Sequence, residues 1–428
     1  MAFSNLDFLE KNFIHYAKED TQSKYANKDQ VPTTPNQVKM MKELADQVKD
    51  YGLESYYNEK TAFSIGHLAA NTVGVVPIGF FAHVDTVEYD DRFPIRPQVH
   101  RDYQGQKLAL DEANGIFLDP EEFPDLLTLK GQTLITSDGK TVLGTDDKAG
   151  VAGLLGALKY LHEHPEVEHG DIYVAFGPDE EIGLGGQRFD PADFPGVEFA
   201  YTLDNGRPSD FEYETFNASA ADLTIKGTVV HPGEAYGLMV NATTIMTEFL
   251  AALPKDQVPE KSRGHEGFIM VTDTQSSVDS AHVGLIIRDF DWDEFLAKED
   301  LVKKLVASLG EKYGPDRFQL DLRRQYENIY NGVKDRPYVV NLAVDSYEKA
   351  GLAPNVQTFR GGTDGNFITK KGIPTPNLFN GGGNYHGRYE YVTVEQMDKL
   401  AEVLVTIAAE HARQSKEGQD DRPLEKYW

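Results

Sequence analysis

Short apolar runs that stop abruptly at polar clusters recur along the first half of this chain. Residues 172–176 (IYVAF) lean towards β structure, are halted by Gly177-Pro178, and deliver Asp179, Glu180 and Glu181 to the end of the run. Residues 77–82 (PIGFFA) run into His83-Val84-Asp85-Thr86, and residues 199–203 (FAYTL) run into Asp204-Asn205-Gly206. A fourth stretch, TLITSDGKTVLG, reads as a hairpin turning at Asp138-Gly139 and leads to Gly144-Thr145-Asp146-Asp147-Lys148.

Between these runs the apolar spacing is helical. Leu6, Leu9 and Phe13 share one face; a second helix is predicted after Thr33-Thr34, with Pro35 in its first turn and Val38, Met41, Ala45 and Val48 facing the core. Val151, Leu154, Leu155, Leu158 and Leu161 follow the i, i+3, i+4, i+7 pattern, which places Asp146 and Asp147 at a helix start. Strands alternating with helices predict an α/β fold, in which ligands bind outside the carboxyl ends of the strands. Residues 90–130 show little periodicity and read as a long surface excursion.

From about residue 211 the pattern changes to β-α-β-β-α-β: a β-type run over 211–230, a helix over 240–253, β runs over 267–274 and 282–288, a charged helix over 293–309 and a last strand near 318–322. That order predicts a small ferredoxin-like α+β domain over 211–327, inserted into a catalytic domain made of 1–210 and 328–428. The α/β pattern then returns with a helix over 339–350, the glycine-rich turn RGGTDG at 360–365, and a loop ending at His386. The final helix is expected to start at a capping box of Thr393 and Gln396, with Leu400, Val403, Leu404 and Ile407 inward. Beyond Gln414 the tail is polar and reads as frayed.

Composition narrows the chemistry. At 428 residues the chain is long enough for two domains, and 40% hydrophobic with 26% charged residues is a globular composition. No apolar run reaches the roughly 18 residues of a membrane span, and MAFSNLDFLEKNF lacks the pattern of a signal peptide, so a cytoplasmic protein is expected. There is no cysteine, which leaves His, Asp and Glu as the strong metal ligands. The formal charge of −27 argues against nucleic acid or an anionic membrane as partner.

The polar groups at the strand ends fit a two-metal hydrolytic site. His83, Asp146 and Asp204 can serve one ion and Asp146, Glu181 and His386 the other, with Asp146 bridging and a position left for water. Imidazole and carboxylate without sulfur suit two Zn2+, with Co2+ or Mn2+ as substitutes. Asp85, two residues beyond His83, can accept the other ring N–H of His83, and Glu180 is then the carboxylate left to move a proton. Taken singly, a DEE is more often a solvated turn and a His-x-Asp more often a satisfied surface histidine, the His-Pro-Gly at His231 is most simply a turn, and Arg288 reads as an ordinary surface charge. His162, His164 and His169 follow a helix end and read as solvated.

Jointly, HVDT (83–86), GTDDKAG (144–150), PDEEIG (178–183), LDNG (203–206), HPG (231–233), RGGTDG (360–365) and NYHGRYEYVT (384–393) resemble the di-zinc M20 metallopeptidases over nearly the whole chain. The resemblance implies a zinc-peptidase-type catalytic domain, with a mixed sheet and flanking helices, split around a lid through which such proteins often form homodimers. It implies the five ligands above, Glu180 as general base and Asp85 as the orienter of His83. It further implies that His231 stabilises an oxyanion, commonly in the partner subunit's site, and that Asn241 and Arg288 bind the substrate backbone and its terminal carboxylate. The implied activity is removal of the N-terminal residue from tripeptides; the rivals are a dipeptidase, a carboxypeptidase-like enzyme, an N-acyl amino acid deacylase, or a non-catalytic zinc-binding homologue. LDNG departs from the VDGG of the nearest branch of the family but keeps Asp204.

Overall fold

The computed structural model describes residues 5–90 and 92–424; the first residues of the MAFSNLDFLEKNF start and the last of the polar tail lie outside the described residues. The chain divides into two compact units, one of them built from Glu214–Asn328 with Thr358–Gly362.

The first unit is organised on an eight-stranded mixed sheet. Its centre is parallel: Ile172–Gly177 lies beside Ile78–His83, which lies beside Phe199–Asn205, followed by Asn377–Phe379. Glu54–Tyr57, Ser64–Leu68 and Asp210–Thr215 join antiparallel. The central strands read as unbroken apolar runs because both faces are covered. Phe80, Val174 and Tyr201 point into a core closed by the helices Pro35–Asp50, Thr145–Glu163, Pro337–Lys349 and Val394–Glu417. Their neighbours Phe81, Ala175 and Ala200 point the other way, into a cluster with Phe189, Phe194 and Ile368.

Helix faces follow the periodicity with small shifts. Val151, Leu154, Leu155, Leu158 and Leu161 are all buried, as are Leu400, Val403, Leu404 and Ile407. In Pro35–Asp50 the buried face is centred on Met40, Met41 and Leu44, and Val38 is only half-buried.

Several expectations are corrected. Residues 90–130 are not a bare surface excursion: Gln98–His100 pairs with Leu134–Thr136, Leu108–Asp111 pairs with Ile116–Leu118, and Tyr103, Leu108, Leu118, Leu126 and Leu129 form a cluster of their own. The hairpin at Asp138-Gly139 does not form. Leu134–Thr136 pairs instead with Gln98–His100 and Tyr391–Thr393, which occupy both its edges, and the amides of Leu143 and Gly144 go to Glu390. Thr393 caps the last helix by accepting from Gln396 N at 3.2 Å, but Gln396 Oε1 finds no partner, so the box is half made. A complete box stands at Thr363 and Asn366. The tail does not fray at Gln414: the helix continues to Glu417, and Asn341 Nδ2 donates to Asp420 O at 3.0 Å and Arg422 O at 2.8 Å. His169 is not solvated but buried, its Nδ1 2.8 Å from Gly170 O.

A buried histidine in this unit supplies a pH test. His411 Nε2 lies 2.9 Å from Val76 O and Nδ1 lies 2.7 Å from the Tyr338 hydroxyl. A carbonyl only accepts, so Nε2 carries the proton and Nδ1 accepts from Tyr338, which defines a neutral ring. Burial holds His411 below the usual histidine range, although the Val76 carbonyl pulls the other way. The unfolded chain therefore takes up this proton at higher pH than the folded one, and the stability it represents is present above the unfolded value and lost as pH falls. His411→Gln should flatten the decline in Tm between about pH 7 and about pH 5; thermal unfolding with an unchanged slope would contradict this.

The second unit has the β-α-β-β-α-β order: Asn217–Lys226, Ala242–Ala252, Phe268–Ser276, Ser280–Asp289, Trp292–Tyr313 and Phe318–Tyr326. Its four-stranded sheet is antiparallel, with Asn217–Lys226 flanked by Ser280–Asp289 and Phe318–Tyr326, and Phe268–Ser276 on the outside. This is the ferredoxin-like arrangement. Ile245, Phe249, Phe295 and Val302 from the helices pack on Leu223, Val283 and Leu285. The run over 211–230 is not one strand: Asp210–Thr215 pairs in the eight-stranded sheet, and a new strand starts at Asn217.

Candidate active site

Parallel register brings the predicted residues to one edge. His83 is paired with Gly177, so the end of Ile78–His83 lies beside the start of the PDEE turn, and Asp204 sits at the end of the next strand, Phe199–Asn205. Asp146 and Asp147 open the stretch Thr145–Glu163, but both have non-helical backbone angles.

Asp146 is shared between two imidazoles. Its Oδ1 lies 2.9 Å from His83 Nε2 and its Oδ2 lies 3.1 Å from His386 Nε2. Asp204 Oδ1 approaches His83 Nε2 at 3.8 Å, and Glu181 Oε2 approaches His386 Nε2 at 3.1 Å. All five predicted ligands are thus brought together in two groups that share Asp146. Ligand atoms of His83, Asp146 and Glu181 lie within 4.8 Å of one another, and so do those of His83, Glu180 and Asp204. Glu180 therefore stands beside His83 and Asp204, within a ligand's reach.

Neighbouring acids hold the backbone of these residues. Asp85 was expected to take the ring N–H of His83. That nitrogen, Nδ1, lies 3.1 Å from the Asp85 backbone carbonyl and 3.5 Å from its carboxylate. The Asp85 carboxylate accepts from Glu180 N at 2.9 Å and Glu181 N at 3.1 Å, so it fixes the two-glutamate turn as well. Asp179, at φ 58°, accepts from Thr33 N, Gln37 Nε2 and Arg188, tying the same turn to the helix Pro35–Asp50. Asp147 accepts from His83 N at 3.3 Å and from Asn380 Nδ2 at 3.2 Å. Asp364, from the glycine-rich turn, accepts from Gly186 N, and a Cβ on Gly185 would stand 2.6 Å from its Oδ2. Sequence reasoning gave none of these last three a role. Their only signal is an acidic residue inside a Gly-rich or apolar stretch, such as Thr363-Asp364-Gly365.

The electrostatics are those of a site built for positive charge. Burial, then the charge of Asp146, pushes Glu181 up to about 7 and Asp204 up to about 6. Burial and the Asp204 charge push Glu180 well above the carboxylate range. The Asp146 and Glu181 carboxylates push His386 up to about 10. Burial would lower His83, but Asp146, Asp204 and Asp85 outweigh it and hold the ring well above its usual value. Burial would raise Asp146, but His386 and His83 outweigh it and hold that carboxyl down. A metal fits these residues on a separate observation: Glu181 Oε1 is buried with no hydrogen-bond partner, and an orphaned carboxylate oxygen beside imidazole nitrogens is a ligand set for a divalent cation.

The three remaining predicted residues lie in the second unit. Asn241 caps the helix Ala242–Ala252, its Oδ1 accepting from Thr243 N at 2.9 Å. His231 is exposed and its Nδ1 accepts from Gly233 N at 3.1 Å. Arg288 is half-buried against the Tyr326 ring and donates to Ser219 O and Ile287 O, both at 2.9 Å.

Comparison with known proteins places the chain among peptidases. The model of peptidase family M20/M25/M40 matches residues 136–410. The peptidase T of Fusobacterium nucleatum is 43% identical over 93% of this chain and 96% of its own length. Among solved structures, the aminopeptidase PepT of Bacillus cereus superposes with a TM-score of 0.77 at 24% identity, covering 96% of this chain and 100% of that one. A dinuclear metal-binding M20 peptidase of Bacillus subtilis superposes with a TM-score of 0.65 at 13% identity, covering 94% of this chain and 97% of that one.

Proposed function

Because the chain belongs to peptidase family M20/M25/M40, we propose that it is a cytoplasmic tripeptide aminopeptidase whose site holds two zinc ions. The observation that carries this reading is the Asp146 carboxylate, with one oxygen at His83 and the other at His386. His83, Asp146 and Asp204 would hold one ion, and Asp146, Glu181 and His386 the other. When bound, such ions polarise a peptide carbonyl and lower the pKa of water.

The residues of the chain do the rest. Glu180 takes a proton from the attacking water as the C–O bond forms, and gives it to the departing amine as the C–N bond breaks. Asp85 fixes the backbone of Glu180 and Glu181, so that base and ligand keep their spacing. The second unit acts as a lid and as the dimer interface, His231 steadies the developing oxyanion, and Asn241 with Arg288 binds the substrate backbone and its terminal carboxylate. Arg288 is suited to a carboxylate because its guanidinium stays charged and among the described residues no acidic side chain lies within ion-pair distance of it, although both hydrogens of its Nη1 are already given to Ser219 O and Ile287 O.

The zinc-loaded protein, supplied with Leu-Gly-Gly, Ala-Ala and N-acetyl-Ala, should release leucine and Gly-Gly from the first and leave the other two largely intact; release of glycine and Leu-Gly would assign a carboxypeptidase-like enzyme. Cleavage of Ala-Ala or N-acetyl-Ala, with the tripeptide untouched, would instead assign a dipeptidase or a deacylase.

A further inference from the structure

Glu390, buried and given no role by its sequence context, joins two loops that each carry a proposed ligand. Its Oε2 accepts from Leu143 N and Gly144 N, both at 2.7 Å, and from Thr145 N at 3.3 Å. Its Oε1 accepts from His386 N at 2.8 Å. The three successive amides form a nest around Gly144, whose φ of 77° is left-handed, and Asp146 follows directly after them. The two loops are also in close contact elsewhere: a Cβ on Gly382 would stand 2.1 Å from Thr145 Cγ2.

We infer that Glu390 is a positioning residue that holds the Asp146 loop and the His386 loop in register, and so shapes the cation place formed by Asp146, Glu181 and His386. This rests on the two-ion reading above. A carboxylate has acceptor oxygens to offer on both sides. A glutamine keeps the shape but presents its NH2 to one of the two loops, donor against donor, and one clamp is lost. Among the described residues no hydrogen bond or ion pair joins Glu390 to His83 or Asp204, so the place they form with Asp146 is affected chiefly through that shared residue.

The test is stepwise titration of chelator-stripped protein with Zn2+ alone, comparing the original protein with Glu390→Gln and the shortened Glu390→Asp. The original protein should take up two ions; failure to do so would defeat the two-ion reading itself and leave Glu390 no pair of ligands to position. With two ions bound in the original, Glu390→Gln should weaken one binding step by about 10–100-fold, the scale of lost outer-sphere support, and change the other far less. Glu390→Asp should fall between them and gives the answer if the glutamine variant does not fold. Two unchanged steps, or two equally weakened, would overturn the inference, because a group that merely stabilises the fold has no reason to separate them.

Discussion

Glu180→Gln should lower kcat on Ala-Ala-Ala by about 10²–10⁴-fold, the range of a lost general base, while the protein still binds two zinc ions. Glutamine has nearly the same shape but cannot accept the proton of the attacking water. The substitution also removes a carboxylate that burial and Asp204 hold in an unfavourable environment, so Tm of the metal-free protein should hold or rise. Metal content makes the result decisive. Glu180 lies within ligand reach of His83 and Asp204, and if it were a ligand the variant would bind one ion fewer. Loss of an ion, or retention of full activity, would each remove Glu180 from the role of base.

Much of this site was legible because β-type runs and helical periodicity are dictated by burial, and burial is written in the sequence. PIGFFA, IYVAF and FAYTL stop where the sheet leaves the core, and the polar residues that follow must lie at its edge. That placed His83, Glu180, Glu181 and Asp204 without any knowledge of pairing. What could not be read was the set of acids holding the backbone in place. Asp147, Asp179, Asp364 and Glu390 accept from amides of residues distant in the chain, and only the folded arrangement brings those amides to them. Asp85 was half legible: its two-residue offset from His83 was seen, whereas its grip on Glu180 N and Glu181 N depends on two parallel strands ending together.

The errors over 90–141 have a different cause. Leu134–Thr136 is a strand whose partners lie far before and far after it in the chain, in Gln98–His100 and Tyr391–Thr393. A local turn signal at Asp138-Gly139 therefore suggested a pairing that non-local strands had already filled. The cluster of Tyr103, Leu108, Leu118 and Leu126 is likewise assembled from short segments, each too brief to show a period.

Asp146→Asn should be the most damaging single substitution, leaving at most one zinc ion per chain and turnover lower by more than about 10⁴-fold, beyond the general-base range. Among the described residues Asp146 is the carboxylate that addresses both histidines through separate oxygens, Oδ1 towards His83 and Oδ2 towards His386. An asparagine has one carbonyl oxygen, so whichever way the amide turns, one histidine faces an NH2 that cannot ligate a cation. Asp204→Asn makes the fair comparison: Asp204 approaches His83 alone, at 3.8 Å, and its loss should weaken one ion and spare the other. Zinc per chain, measured with turnover on the same preparations, separates the cases. Two ions retained in Asp146→Asn, or equal losses in the two variants, would show that Asp146 does not bridge. If it does not, the pairing of His83 with one ion and His386 with the other loses its shared ligand, and at least one place is left with two of the proposed donors, fewer than the three protein ligands of a catalytic zinc site.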